Sequence, residues 1–167
     1  MISREEIRES IKKGLVCEYK EMKKRSENPI FGLRLIIDDL ALSSFLMGVS
    51  EDLRKEDSKI YIWNTGSWDL NIPLDETLNL DYSLYDATKL FFDYYLEEKD
   101  NISDIDEFRL ENVKTYMEAM LDFKDEIDED IFLLLASEDD DNFEYETGKI
   151  LNFDSKYLKE FKHYFEE

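Results

Sequence analysis

The sequence predicts an α+β fold, a single domain over residues 1–167 in which a small, mainly antiparallel sheet packs with about five helices. Three observations carry that expectation. Both ends and the middle of the chain repeat apolar residues at the helical period; shorter stretches alternate or run continuously apolar, as strands do; and no linker rich in Ser, Gly or Pro divides the chain. With 43% hydrophobic and 14% aromatic residues, there is enough apolar material for one core despite a net charge of −21.

The elements follow in order. Ser3 and Glu6 form a capping box, and Ile7, Ile11, Leu15, Tyr19 and Met22 then share one helical face, giving a first helix over Ser3–Lys24 that stops before the "SENP" stretch. "IFGLRLII" and "ALSSFLMGV" flank Asp38-Asp39 and read as a β-hairpin. "SEDLRKED" suits a short helix opened by Ser50. Lys59–Trp63 reads as a third strand, with a turn at Asn64–Ser67 and a further short strand beyond Trp68. Helical stripes return from about Leu80, through Leu84, Phe91 and Tyr95, and again after a cap at Ser103 with Asp106, through Phe108, Val113, Met117 and Leu121. "DIFLLLAS" is apolar on both faces and predicts a strand near the sheet centre. A last helix runs from Asp154, with Tyr157, Leu158, Phe161 and Phe165 on one side.

Catalytic material is sparse. The one histidine, His163, falls near the C-terminus on a helix where solvation is expected, and the one cysteine, Cys17, lies in the first helix as a buried or half-buried thiol. One Cys and one His cannot build a zinc site of the usual kind, and the five glycines are scattered singly, with no phosphate-binding loop. "SEDDDNFEYE" puts Asp139, Asp141 and Phe143 at the first, third and fifth places of an EF-hand loop, but Glu144 stands where the turn requires glycine. The expectation is a non-enzymatic protein without a cofactor. A carboxylate-dependent metal hydrolase is the third-ranked alternative.

Charge is the strongest signal. Residues 1–34 carry nine Lys or Arg against six Asp or Glu, whereas residues 35–167 carry twelve against thirty-six, so the first helix is a basic element on an acidic body. Two acidic blocks bracket the strand at Ile131–Ala136. The candidate docking residues are Asp125, Glu126, Asp128, Glu129 and Asp130 in the first, and Glu138, Asp139, Asp140, Asp141, Glu144 and Glu146 in the second. Such a field repels phosphate backbones and anionic lipid, which argues against direct nucleic-acid or membrane binding, and it attracts a basic protein. The alternative is a structural or regulatory module whose acidity serves solubility. Trp63 and Trp68 flank "NTGS" and fit core packing or exposed interface anchors. The N-terminus lacks the apolar core of a signal peptide and nowhere do 18 apolar residues run together, so a cytoplasmic protein is expected.

Four stretches, "FGLRLIIDDLALSSFLMGVSEDL", "WNTGSW", "EFRLENVKTYMEAMLDFKDE" and "IFLLLASEDDDNFEYETGKILN" followed by an amphipathic helix, occur in an order that resembles a family of uncharacterised bacterial proteins, domain of unknown function 4303. The likeness spans most of residues 30–165. It implies an immunity or accessory protein of a toxin system, and it carries no functional residues with it.

Overall fold

A computed structural model describes residues 1–55, 60–138 and 140–166. The first helix, α1 (Arg4–Arg25), opens on the expected capping box: the Ser3 hydroxyl accepts from the Glu6 amide and the Glu6 carboxylate accepts from the Ser3 amide. Strands β1 (Ile30–Ile37) and β2 (Ser44–Ser50) form the expected hairpin, closing at Ile37 opposite Ser44. Beyond them come α2 (Asp52–Lys55), α3 (Ile60–Trp63), α4 (Leu74–Thr77), α5 (Leu84–Glu98), α6 (Ile105–Ile127), β3 (Phe132–Ser137), α7 (Asp141–Leu151) and α8 (Leu158–Glu166). The class is α+β.

The sheet is mixed rather than mainly antiparallel: its order is β2-β1-β3, with β1 antiparallel to β2 and parallel to β3. The apolar strand β3 is therefore an edge strand, not the central one. Burial of both faces comes from helices above and below and says nothing about lateral position. Its outer edge is closed by α7 and the residue that follows it. The Asn152 amide accepts from the Leu133 amide at 2.8 Å and donates to the Leu133 carbonyl at 2.6 Å, while the Thr147 hydroxyl donates to the Leu135 carbonyl at 2.8 Å. Side chains thus take the place of a fourth strand and leave little for another chain to pair with along that edge.

Other expectations shift locally. The proposed third strand is the short helix α3 instead, with Lys59 outside the described residues; a short apolar run does not distinguish the two periods. Past Trp68, Leu70 forms only an isolated antiparallel bridge to Gly48. The cap of α6 is Asp104, one residue after Ser103, because its carboxylate accepts from the Asp106 and Glu107 amides. Helix α8 begins at Leu158, not Asp154.

Two apolar clusters sit on the two faces of the sheet. Leu33, Leu35 and Ile37 of β1, with Leu133 and Leu135 of β3, pack against α1, α5 and α6. On the other face Phe31, Phe132 and Leu134 meet Trp63, Trp68 and Phe161. Both tryptophans are core residues, each 2% exposed, and the Trp68 indole donates to the Ile62 carbonyl at 2.7 Å. Gly32 allows this approach, since a Cβ there would lie 2.8 Å from the Trp68 ring. Where α1 crosses the start of α5, the buried Glu18 carboxylate accepts from the Leu84 amide at 2.6 Å. Burial pushes that carboxyl up to about 7.

Candidate docking surface

The parallel register decides which acids meet. Because Ile37 pairs with Ser137, the segments that leave β1 and β3 emerge side by side at one end of the sheet. Asp38 and Asp39 of the hairpin turn therefore lie beside Glu138, with Asp140 and Asp141 next along the chain; Asp139 lies outside the described residues. Between them is a groove of about 310 Å³ lined by Ile36, Asp38, Asp39, Leu40, Phe45 and Glu138. Phe45 is 55% exposed at its rim.

Two of these acids have an identifiable local role. The Asp38 carboxylate accepts from the Leu42 and Ser43 amides at 2.8 and 3.3 Å, bracing a turn in which Ala41 takes a left-handed conformation (φ 56°). Asp140 caps α7 by accepting from the Phe143 amide at 2.9 Å. Arg109, reaching from α6, donates to the Asp39 carbonyl at 2.8 Å and to the Ser137 hydroxyl at 3.4 Å, and its guanidinium stands 5.5 Å from the Phe143 ring. One cation thereby ties the two exits together. Asp39 and Glu138 remain exposed at the groove, and Asp141 is exposed at the start of α7.

Not all of the second acidic block belongs to this surface. Glu144 is 3% exposed and holds Arg34 in a two-point contact, Nε to Oε1 at 3.2 Å and Nη2 to Oε2 at 2.9 Å. It is a buried partner of the sheet and is withdrawn from the docking residues. Glu146 is exposed but pairs with Lys149 at 3.1 Å, one turn along α7.

The first block lies at the opposite end of β3, roughly 17 Å away by the strand rise. There the basic face of α1 is already engaged. Arg8 binds Asp122 at 2.5 Å and Glu118 at 2.8 Å, Lys12 approaches Glu126 at 3.8 Å, and Lys23 binds Glu129 at 2.6 Å. Hydrogen bonding from Arg8 holds the Asp122 carboxyl below the usual range, and that from Lys23, then from the Tyr19 hydroxyl, does the same for Glu129. Lys124 pairs with Asp154 at 3.0 Å. Asp125, Asp128 and Asp130 stay exposed, with Asp128 in a left-handed C-cap (φ 50°).

The structure thus splits the expected docking residues into two separated surfaces and adds Asp38, Asp39 and Phe45 to one of them. The signal for the additions was present as the acidic pair in the hairpin turn. Linking it to Glu138 required the parallel register, which strand patterns do not disclose. Among the described residues, no group of three or more His, Cys, Asp or Glu side chains is placed to hold a metal ion, and no helix is long and apolar enough to cross a membrane. Cys17 is half-buried and His163 exposed.

No family model, curated protein or solved structure matches this chain. Its functional reading rests on surface chemistry.

Proposed function

We propose that this chain is a non-enzymatic binding protein that captures a basic protein at the groove between the exits of β1 and β3. In the concrete form implied by the sequence resemblance, it is a cytoplasmic immunity protein that occludes the cationic active site of a toxin. The observation that carries the reading is the juxtaposition of Asp39 and Glu138 with a half-exposed phenyl ring, Phe45, in one groove. Interfaces draw their affinity from desolvated aromatic anchors and their association rate and selectivity from complementary charge around them. Nuclease-like toxins that grip phosphate are basic and would supply the complementary charge.

The test is kinetic. Extract from the source organism is passed over the immobilised protein at low salt, a retained basic protein is purified, and its association is measured by stopped flow at several ionic strengths. Reversal of three exposed acids, Asp39→Lys, Glu138→Lys and Asp141→Lys, is expected to slow association at least roughly tenfold and flatten its salt dependence. Phe45→Ala is expected to speed dissociation instead. A selective basic partner whose kinetics ignore both changes would refute this site, and retention of basic proteins without selectivity would favour acidity that serves solubility.

A further inference from the structure

Helix α5 carries two apolar faces, and only one is used by the fold. Leu84, Ala87 and Phe91 are buried against the body, at the 3-4 spacing of a core-facing stripe. On the opposite side Tyr85, Phe92 and Leu96 are 44, 46 and 55% exposed, with Lys89 between them. The steps between these four residues are four, three and four, the spacing of the a and d positions in a coiled-coil seam, with a lysine at one a position.

The spacing of the stripe is also symmetric. Positions 85 and 96 are equidistant from the midpoint between residues 90 and 91, and so are positions 89 and 92. Two-fold symmetry requires a surface that complements itself, and an antiparallel seam pairs each a position with a d position of the other helix. Laid antiparallel about that midpoint, Tyr85 meets Leu96 of the second copy. Lys89 meets the Phe92 ring, where a cation over an aromatic face is favourable, and Asp93 of the second copy lies beside that lysine. Lys89 already leans toward an aromatic ring within its own chain, its Nζ standing 5.5 Å from the Tyr85 centroid.

We propose that α5 is the self-association face of this protein, occupied by the α5 of a second copy in an antiparallel two-helix seam. The seam is short, about 17 Å between its outer positions, and so small a contact is expected to lie below the roughly 1,200 Å² of stable interfaces, with association in the high-micromolar to millimolar range. Each copy carries a net charge of −21, and the two bodies repel. Salt screens that repulsion, so dimerisation strengthens as ionic strength rises, opposite in sign to capture of a basic protein at the groove. The inference is therefore independent of the proposed function.

Sedimentation equilibrium of the full chain from about 0.05 to 0.5 M NaCl supplies the test. The expected result is a reversible monomer–dimer equilibrium whose association constant rises about fivefold or more over that range and is abolished by Phe92→Glu, an exposed change that leaves the circular dichroism intact. Register is read by oxidation in a Cys17→Ser background. Tyr85→Cys with Leu96→Cys is expected to yield a covalent dimer, while neither single cysteine does, because the two positions lie about 17 Å apart along one helix. A strictly monomeric protein at millimolar concentration, association that survives Phe92→Glu, or single-cysteine variants that cross-link as well as the pair would each overturn the proposal. So would a face that binds only an added basic amphipathic peptide.

Discussion

Replacing Glu18 by Gln isolates one buried carboxyl and the pH dependence it imposes. Its surroundings are defined: the carboxylate accepts from the Leu84 amide at the start of α5, the Asp86 charge lies nearby, and the residue is 6% exposed. Burial, reinforced by Asp86 and opposed by the Leu84 hydrogen bond, lifts the folded value to about 7 from the ordinary 4.5. Between those values the folded chain binds more protons than the unfolded chain. Stability from this group is therefore greatest at and below pH 4.5, declines as pH rises, and is fully lost above 7. At roughly 1.4 kcal/mol per pH unit the difference comes to about 3 kcal/mol. Glutamine keeps the acceptor and removes the charge. Urea unfolding of both proteins from pH 4.5 to 8 is expected to give equal stabilities at the acid end and a variant more stable by about 3 kcal/mol at pH 8, or roughly 6–12 °C in Tm. A difference that is flat with pH, or largest in acid, refutes the assignment.

Two further predictions test the sheet. Arg34→Met strands the Glu144 carboxylate in the interior and is expected to cost about 3–5 kcal/mol in urea unfolding, most of it recovered by adding Glu144→Leu; equal costs for the single and double variants would contradict this. Asn152→Ala leaves the Leu133 amide and carbonyl without their side-chain partner, with an expected loss of about 3 kcal/mol and concentration-dependent aggregation through the reopened β3 edge, measured by urea unfolding and light scattering.

Sequence patterns reached α1, α5, α6, α8 and the hairpin because those depend on short-range rules, but they gave no helix at Asp141–Leu151, whose acidic start reads as a solvated loop. Ser3 with Glu6 marked the start of α1, and the stripe Ile7, Ile11, Leu15, Tyr19 and Met22 is its buried face. What patterns did not reach was set by pairing at a distance. The position of β3 depends on Asn152, nineteen residues beyond Leu133, supplying what a neighbouring strand would supply. The "KIYIW" stretch satisfies strand preferences, yet Ile62 and Trp63 are both buried at consecutive positions, which a helix turning into the second cluster allows. The surroundings of the expected docking residues were hidden for the same reason. Glu144 and Glu129 look alike as sequence, but one lies buried against Arg34 and the other bridges Lys23 and Tyr19.

The charge count overstates the surface charge available to a partner, since Asp122, Glu126 and Glu129 face the basic side of α1 and Glu144 is buried. The acids near Phe45 have a competing physical explanation. Phe45 lies on β2, the other edge of the sheet, and charges beside an exposed edge guard against strand-to-strand aggregation. Guarding and docking differ in one respect: a guard works with charge of either sign, because lysine blocks an edge as well as aspartate does, whereas capture of a basic protein requires negative charge. Reversal of Asp39, Glu138 and Asp141 to lysine therefore separates the two. A guarded edge stays monodisperse after reversal and loses nothing else, while a docking groove stays monodisperse and loses its association rate.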